Sequence, residues 1–254
     1  MTGASSGIGL CTARALVLAG ATVAMAARTR DKLFAEASRV SAEAAALFPG
    51  SPRALAVPMD VTDDESVTQA IAEVRARLGR IDVVINNAGN GGALGPYATA
   101  SAGALRALFE VHVFGMERVT RAVLPAMLAE GGGTIVNIVS AVAWVGMPNL
   151  AAYSGAKAAV LAFSDALRGE LEGQVDVIVF GPPHTATDGS FPLPIPIYQP
   201  VRVADELVRV LRRDRRRVLV GGGLLLSILR LSPRLAHWLM KVVGKKANAN
   251  LQRA

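Results

Sequence analysis

A tyrosine and a lysine spaced four residues apart could carry acid–base chemistry in this sequence. Tyr153 and Lys157 lie in the segment AYSGAK, and residues i and i+4 share one face of a helix, so the phenol and the ammonium would project together. A free phenol ionises near about pH 10, and a cation within roughly 4–6 Å favours the phenolate. We therefore expect Lys157 to lower the pKa of Tyr153 towards the neutral range, where a phenol exchanges protons with a substrate.

A serine upstream could assist this pair. Ser140 ends the apolar run TIVNIVS, ahead of Tyr153. In the reduction of a carbonyl, Tyr153 would donate the proton, Ser140 would hydrogen-bond the developing alkoxide, and hydride would arrive from a nicotinamide. Each residue alone has an ordinary structural explanation, namely aromatic packing, a solvated helix position and a strand-end cap. Only their combination predicts the chemistry.

A glycine-rich turn precedes the first helical pattern. Gly3, Gly7 and Gly9 lie in TGASSGIG, and helical spacing runs from Ile8 to Ala19. Backbone N–H groups and the positive end of a helix bind phosphate, and glycine lets the backbone approach it closely. The turn therefore predicts a site for a dinucleotide pyrophosphate, although glycine turns before helices also arise for steric reasons alone.

The residue after the next apolar run bears on which dinucleotide binds. The run ATVAMAA is followed by Arg28 and no acidic residue. Dinucleotide-binding folds place a carboxylate here for the ribose 2′-hydroxyl of NAD, or an arginine for the 2′-phosphate of NADP. Arg28, together with Arg30, favours NADP, and the alternative is an ordinary solvated arginine.

Short apolar runs alternate with helical patterns along most of the chain. Strands separated by helices pair in parallel through right-handed crossovers, which predicts an α/β fold with a doubly wound parallel sheet of Rossmann type in a single domain. The ligand site of such a sheet lies beyond the carboxyl ends of its strands. The predicted strands are residues 21–26, 54–58, 82–86, 134–139, 175–180 and 217–220.

Composition excludes several other classes of site. The single cysteine, Cys11, cannot form a disulfide framework, and the three histidines show no metal-ligand spacing, so we expect no metal site. The first residues lack the basic and apolar regions of a secretory signal, so we expect a cytoplasmic protein.

The last part of the chain is strongly basic. Residues 202–254 contain 13 Lys and Arg against 3 Asp and Glu, while residues 1–201 contain 14 against 17. We divide the chain into a catalytic domain, residues 1–220, and a basic amphipathic extension, residues 221–254. Trp238 is the only aromatic residue of this tail, so we expect no nucleic-acid partner.

The uncharged stretch where the extension begins is too short to cross a membrane. This stretch, residues 218–229, is about eight residues shorter than a transmembrane helix needs to be. Ser232 and Pro233 then resemble a helix start. Three functions stay open for this helix: contact with an anionic membrane surface, closure of the substrate pocket, or packing against another subunit. The apolar face of the helix consists of Leu235, Trp238, Leu239 and Val242.

A proline-rich segment follows the fifth predicted strand. Residues 188–200 contain four prolines, which forbid a central strand or helix. We expect a loop that is either a flap over the substrate or a stiffened surface connection. The expected walls of the substrate pocket are this loop with Trp144, Met147 and Pro148.

The motifs TGASSGIG, NNAG, Ser140 and YSGAK occur in this order, and the chain resembles the short-chain dehydrogenase/reductase family over residues 2–220. The resemblance implies a seven-stranded sheet, hydride transfer between a nicotinamide cofactor and a carbonyl or alcohol, and a homodimer or homotetramer. It further implies that Asp60 contacts the adenine and that Lys157 bonds the nicotinamide ribose. The cofactor-binding residues implied in this way are Gly3, Ser5, Ser6, Gly7, Ile8, Gly9, Arg28, Asp60, Val61, Asn87, Ala88, Gly89, Tyr153, Lys157, Pro182 and Thr187.

The sequence departs from the family at its start. The family's opening strand precedes the glycine motif, but only Met1 precedes Thr2 here. We expect that the sequence begins late, at an internal methionine or a misassigned start. Without that strand, its two neighbours in the sheet would have unpaired edges.

Two further departures lie near the expected active site. His112 occupies the place of a family asparagine that holds a water linking the lysine to solvent, and a neutral imidazole could keep that relay or merely pack. Pro183 replaces a glycine in the loop before Thr187, where it restricts the backbone, and His184 enters the same neighbourhood.

The sequence thus predicts an NADP-dependent oxidoreductase that acts on a carbonyl or secondary alcohol of an apolar substrate. Its expected catalytic residues are Ser140, Tyr153, Lys157 and His112. The alternatives are an NADP-binding protein of the same fold with little or no turnover, and a membrane-surface scaffold that uses only its tail. The substrate and the direction of reaction cannot be read from these residues, because pocket identity depends on loops.

Overall fold

Among the residues that this computed structural model describes, six parallel strands form the centre, in the order expected of a doubly wound sheet. One sheet pairs β1 with β2, and a second has the order β3-β4-β5-β6. The strands are β1 Val23–Ala27, β2 Ala54–Pro58, β3 Val83–Asn86, β4 Thr134–Ile138, β5 Asp176–Gly181 and β6 Arg217–Leu219. The predicted α/β class and parallel pairing are confirmed.

The structure describes residues 1–50, 53–92, 94–188, 190, 193, 195–212, 217–219, 232, 234–235, 238–239 and 241–243, with only the backbone of 217–219. Most of the predicted apolar stretch of the extension, and Pro233 at its expected helix start, lie outside these residues. Within the described part of the chain, no helix is long and apolar enough to span a bilayer.

The first residues join the two sheets. Met1 to Ala4 run between β1 and β3, where Ala26 N donates to Met1 O at 2.9 Å and Thr2 N donates to Ile85 O at 3.0 Å. Thr2 also forms a parallel bridge with Ala26. The expected unpaired edges are therefore closed at the carboxyl ends of β1 and β3, the ends that border the ligand site.

Helices cover both faces of the sheet in the described part of the chain. The helices α1, α2 and α7 pack on one face, and α3, α5 and α6 pack on the other. Successive strand residues alternate between these layers: Ile135 packs towards α3 and α5, and Val136 packs towards α7. The helices are α1 Gly7–Leu18, α2 Arg30–Ala45, α3 Asp64–Leu78, α4 Ala104–Phe109, α5 Gly115–Ala129, α6 Ala151–Glu170 and α7 Pro200–Leu211.

Candidate active site

A cavity of about 470 Å³ lies at the carboxyl ends of the strands. The loops that follow β1, β3, β4 and β5 form most of its walls, as expected for a parallel sheet. The structure brings every predicted site residue to this one cavity. They are Gly3, Ser5, Ser6, Gly7, Ile8, Gly9, Arg28, Asp60, Val61, Asn87, Ala88, Gly89, His112, Ser140, Tyr153, Lys157, Pro182 and Thr187.

Glycine is required at one end of the cavity because the backbone turns sharply before α1. Gly3 and Gly7 have φ values of +64° and +53°, which side chains disfavour. A Cβ on Gly9 would lie 2.0 Å from the carbonyl oxygen of Gly3. Ser6, the N-cap of α1, makes no side-chain capping bond, so its hydroxyl does not occupy the N–H groups of the first turn. This cradle fits a dinucleotide pyrophosphate.

Thr2, which is not among the predicted site residues, holds this turn in place together with Asn87. The Thr2 hydroxyl accepts hydrogen bonds from Asn87 N at 3.0 Å and Ala88 N at 2.9 Å. Asn87 Nδ2 in turn donates to the carbonyl oxygen of Thr2 at 3.0 Å. The glycine turn and the loop after β3 are therefore one unit. Thr2 was missed because its role depends on a residue 85 positions away.

An arginine and an aspartate border the same end of the cavity. Arg28 is exposed directly after β1, and Asp60 follows β2. Asp60 Oδ1 accepts from the Thr62 amide at 2.9 Å and the Thr62 hydroxyl at 2.8 Å. Burial acts to raise the pKa of Asp60, but these hydrogen bonds and the charge of Arg28 bring the pKa below its usual value. The carboxylate is therefore ionised at neutral pH.

Tyr153, Lys157 and Ser140 meet at the other end of the cavity. Lys157 is 5% exposed and its Nζ donates to the carbonyl oxygen of Ile138 at 2.8 Å. The same Nζ lies 5.9 Å from the centroid of the Tyr153 ring. Tyr153 shares a hydrogen bond with Ser140. A helix and a strand end thus bring phenol, ammonium and hydroxyl together, as their spacing predicted.

The ionisation of this pair differs from the prediction. Burial raises the pKa of the Tyr153 phenol, and the hydrogen bond with Ser140 offsets only part of this effect. Burial also lowers the pKa of Lys157 from 10.5 to about 7. The expectation that Lys157 lowers the pKa of Tyr153 is wrong for this arrangement, because removal from water outweighs the attraction between the two groups.

His112 lies beside the tyrosine, in a π-helical turn, Glu110–Phe114. Its Nε2 is 2.7 Å from the carbonyl oxygen of Asn90, so Nε2 carries the proton and donates. Its ring contacts the Tyr153 ring edge to face at 5.5 Å between centroids. Burial and, to a smaller degree, the charge of Lys157 lower the pKa of His112 to about 3. The imidazole is therefore neutral.

The position of the His112 ring requires a glycine at residue 89, in the loop that faces it. A Cβ on Gly89 would lie 2.1 Å from His112 Cε1. The glycine of NNAG, Gly89, thus makes room for the imidazole, and the carbonyl of the following Asn90 orients it. Asn90 was missed as a site residue, although it directly follows NNAG in the sequence.

The walls around the chemical groups are largely apolar. Met147 lines the cavity as predicted, but Trp144 and Pro148 do not. Trp144 is half-buried and packs against an apolar cluster that includes Val139 and Val160, and Pro148 is exposed. The sequence could not show this, because the 3-10 turn Ala141–Ala143, which directly precedes Trp144, packs on α6, distant in sequence. The apolar cavity residues at this end are Val142, Met147, Leu150, Leu193 and Ile195.

The proline-rich loop reaches the cavity. Leu193 and Ile195 line it, which favours the flap interpretation over a surface connection. The loop is closed at its base, where Tyr198 N donates to His184 O at 2.8 Å and Ala186 N donates to Tyr198 O at 2.8 Å. The loop ends at Pro200, the first residue of α7.

The loop after β5 connects the two ends of the cavity. Pro182, Pro183 and His184 line it, and Thr187 lies against the glycine turn, with its Cγ2 3.0 Å from the position of a Cβ on Gly7. Pro183 therefore leaves Thr187 within the cavity, where the family pattern expects it.

Residues 1–193 match the family described as short chain dehydrogenase. The chain belongs to the short-chain dehydrogenase family. It is 30% identical to the ketoacyl reductase HetN of Nostoc, over 94% of this chain and 87% of that protein. Members of the family transfer hydride between a nicotinamide cofactor and a CH–OH or C=O group, and the protein is an oxidoreductase of this class.

Solved structures of relatives contain both kinds of cofactor. A short chain dehydrogenase from Burkholderia cenocepacia in complex with NADP is 29% identical, with a TM-score of 0.79 over 94% of each chain. A 3-ketoacyl-(acyl-carrier-protein) reductase from Brucella melitensis complexed with NADH is 25% identical, with a TM-score of 0.74 over 87% of this chain and 95% of that chain. The family thus establishes a nicotinamide cofactor without establishing which one.

Proposed function

We propose that the protein is an NADP-dependent reductase of apolar ketones or aldehydes, and of the corresponding alcohols in reverse. The observation that carries this proposal is one cavity with Ser140, Tyr153 and Lys157 at one end and Arg28 at the other. In the proposed reaction, bound NADPH supplies the hydride. Ser140 holds the substrate oxygen, and the Tyr153 phenol donates the proton to it.

The electrostatics of the site support reduction. Because burial raises the pKa of Tyr153, the phenol is protonated at neutral pH and suits a general acid. Lys157, with a pKa of about 7, exchanges protons readily at that pH. Its Nζ lies 5.9 Å from the centroid of the Tyr153 ring, and in our proposal Lys157 restores the proton that the phenol loses.

His112 takes part in this proton supply in our proposal. His112 and Lys157 both border a second cavity of about 10 Å³, which is close to the space of one water molecule. His112 Nδ1 is buried and accepts no hydrogen bond from the described residues. A water at this point would accept from Lys157 and donate to Nδ1, which completes the hydrogen bonding of both groups.

The preference for NADP rests on Arg28. A guanidinium after β1 forms a charge-assisted hydrogen bond with the 2′-phosphate, a contact worth about 1.5–3 kcal/mol. Arg28→Ala should lower kcat/KM for NADPH by at least about tenfold and leave kcat/KM for NADH unchanged. Arg30, which the sequence suggested beside Arg28, is exposed but does not line the cavity, so Arg30→Ala is the matched control. An unchanged cofactor preference in Arg28→Ala would contradict the NADP assignment.

The apolar substrate class rests on the walls formed by Met147, Leu150 and Leu193. A panel of matched apolar and charged ketones and aldehydes, assayed with NADPH and resolved by product stereochemistry, tests it. We expect turnover of apolar carbonyls to one stereoisomer. Binding of NADPH without its consumption on any carbonyl would instead support the non-catalytic NADP-binding protein.

We further propose that the extension contacts an anionic membrane surface. Leu235 and Trp238 are 42% and 60% exposed on helical residues, beside exposed Arg234 and Lys241. An apolar face flanked by basic residues binds anionic lipid more strongly at low ionic strength. Co-sedimentation with phosphatidylserine vesicles should decrease with salt and with Trp238→Ala. No sedimentation at low salt would reject this proposal and leave pocket closure or subunit packing.

We also propose that the protein forms a homodimer or homotetramer. Phe114 and Phe163 are 49% and 37% exposed on elements that pack together, the π-helical turn and α6. Burial of such side chains favours self-association. Light scattering should give a mass above that of one chain, and Phe163→Glu should reduce it. A monomeric wild-type protein would exclude the assembly.

A further inference from the structure

A continuous chain of buried polar side chains crosses the apolar core beneath the active site. Asn86 Nδ2 donates to Thr120 Oγ1 at 3.1 Å and to Asn137 Oδ1 at 2.9 Å. Asn137 Nδ2 donates to Ser164 Oγ at 2.8 Å, and this hydroxyl donates to Val160 O at 2.6 Å. The four side chains link β3, β4, α5 and α6, and each is at most 6% exposed.

Stability alone does not require polar residues here. Asn137 faces the same layer as Ile135 and Val139, where a further apolar residue would pack. Exchange of both partners of a buried hydrogen bond for apolar groups is often neutral, whereas removal of one partner is destabilising because the other stays buried without a hydrogen bond. What a directional bond adds to apolar packing is a defined register between two elements.

The elements that this bond connects carry the proposed proton donor and its partner. Asn137 lies on β4, which leads to Ser140, and Ser164 lies on α6, which carries Tyr153. Lys157 already ties α6 to β4 through Ile138 O. The Asn137–Ser164 bond is a second attachment, two helical turns further along the same face of α6.

Small errors in register would matter at this site. A slip of α6 by one residue moves its side chains about 1.5 Å along the helix axis, and displacements of about 1 Å in reacting groups can cost about 100-fold in rate. Lys157 has a long, flexible side chain that tolerates such a slip. Ser164 and Asn137 have short side chains that do not.

We propose that Asn137 and Ser164 are positioning residues that set the register of α6 against β4 and so hold the Tyr153 phenol beside Ser140. This inference rests on the proposed role of Tyr153 as proton donor. Neither residue lines the cavity, so both act through α6 and not by contact with substrate or cofactor.

The test separates stability from positioning. Ser164→Ala leaves Asn137 Nδ2 buried without its acceptor, so the melting temperature and kcat should both fall. The double variant Asn137→Thr with Ser164→Ala removes this bond and keeps a hydroxyl acceptor for the Asn86 N–H that bonds Asn137 Oδ1. We expect its melting temperature to recover and its kcat to stay about tenfold below wild type. Ser164→Thr keeps the hydroxyl, so its kcat should stay close to that of the wild-type protein, unlike that of Ser164→Ala.

A matched control exists on a distant helix. The hydroxyl of Ser41 on α2 exchanges hydrogen bonds with Ala54 of β2, both at 3.1 Å. Ser41→Ala therefore removes a serine that ties a helix to a strand, far from the catalytic end. Its melting temperature should fall and its kcat should not.

A second readout does not depend on turnover. The chain has three tyrosines, so subtraction of the ultraviolet titration of Tyr153→Phe isolates the Tyr153 phenol. The double variant should raise the pKa of this phenol, because a displaced Tyr153 loses the Ser140 hydrogen bond. Recovery of both melting temperature and kcat in the double variant, or an unchanged phenol titration, overturns the inference. If the wild-type protein reduces no carbonyl, the proposed function fails, and the titration still decides the positioning.

Discussion

The two ends of the cavity are built on different physical principles. At the glycine end, backbone geometry forms the site: Gly3 and Gly7 adopt positive φ, and Arg28 is exposed to solvent. At the other end, side chains form the site, and burial shifts the pKa values of Lys157 and His112 far from their usual range. We infer that substitutions at the first end change cofactor binding, while those at the second change ionisation and rate.

Tyr153→Phe should have the largest effect and tests this division most directly. The variant removes the proposed proton donor and leaves the ring that contacts His112, so kcat should fall about 10³-fold, within the 10²- to 10⁴-fold range of acid–base catalysis. The dissociation constant for NADPH, measured by fluorescence, should change less than about threefold. Tyr97→Phe is the control, because Tyr97 is 63% exposed. A loss in kcat below tenfold would show that another group donates the proton.

Lys157 should make stability depend on pH. Burial lowers its pKa from 10.5 to about 7, so between these values the unfolded chain binds the proton and the folded chain does not. The free energy of unfolding should therefore rise with pH across this window, by up to about 1.4 kcal/mol per unit, and level off below it. Lys157→Met lacks this dependence.

Urea denaturation at about pH 7 and pH 9 would measure this difference. The gain in free energy of unfolding of Lys157→Met over the wild-type protein should be largest at the lower pH, where the wild-type protein must hold a buried charge. This gain should shrink as the pH rises. An equal difference at both values would show that Lys157 titrates in the folded protein as it does in water.

Gly9→Ala should disturb the other end of the cavity. Its Cβ would lie 2.0 Å from the backbone oxygen of Gly3, so the glycine turn must shift. We expect NADPH affinity to fall at least about tenfold, equivalent to about 1.4 kcal/mol, with a smaller change in kcat at saturating cofactor. Gly169→Ala on α6 is the matched control, because no atom lies within 4 Å of its added carbon. Equal affinity in both variants would contradict the role of the turn.

Local sequence predicted the parts of the fold that local chemistry determines. The apolar run 54–58 coincides with β2, Ala54–Pro58, and the i to i+4 spacing correctly placed Tyr153 and Lys157 on one face of α6. The failures concern burial, which depends on distant residues. The pKa of Tyr153 moved opposite to the prediction because burial of the phenol outweighs its hydrogen bond with Ser140. Trp144 does not line the cavity because it packs against an apolar cluster that includes Val160 of α6.

His112→Asn should have the smallest effect on kcat of these variants, and it tests how the side chains at the buried end of the cavity act. The ring is neutral, since its pKa is about 3, so it contributes hydrogen bonds and volume but no charge at neutral pH. Asparagine keeps a donor for Asn90 O and an acceptor for a water beside Lys157, so kcat should stay within about threefold of wild type or rise. His112→Phe fills the same space without either group, and its kcat should fall about tenfold or more. Similar rates in His112→Phe and wild type would show that the ring only packs, whereas a large loss in His112→Asn would mean that the imidazole has a role that an amide cannot perform.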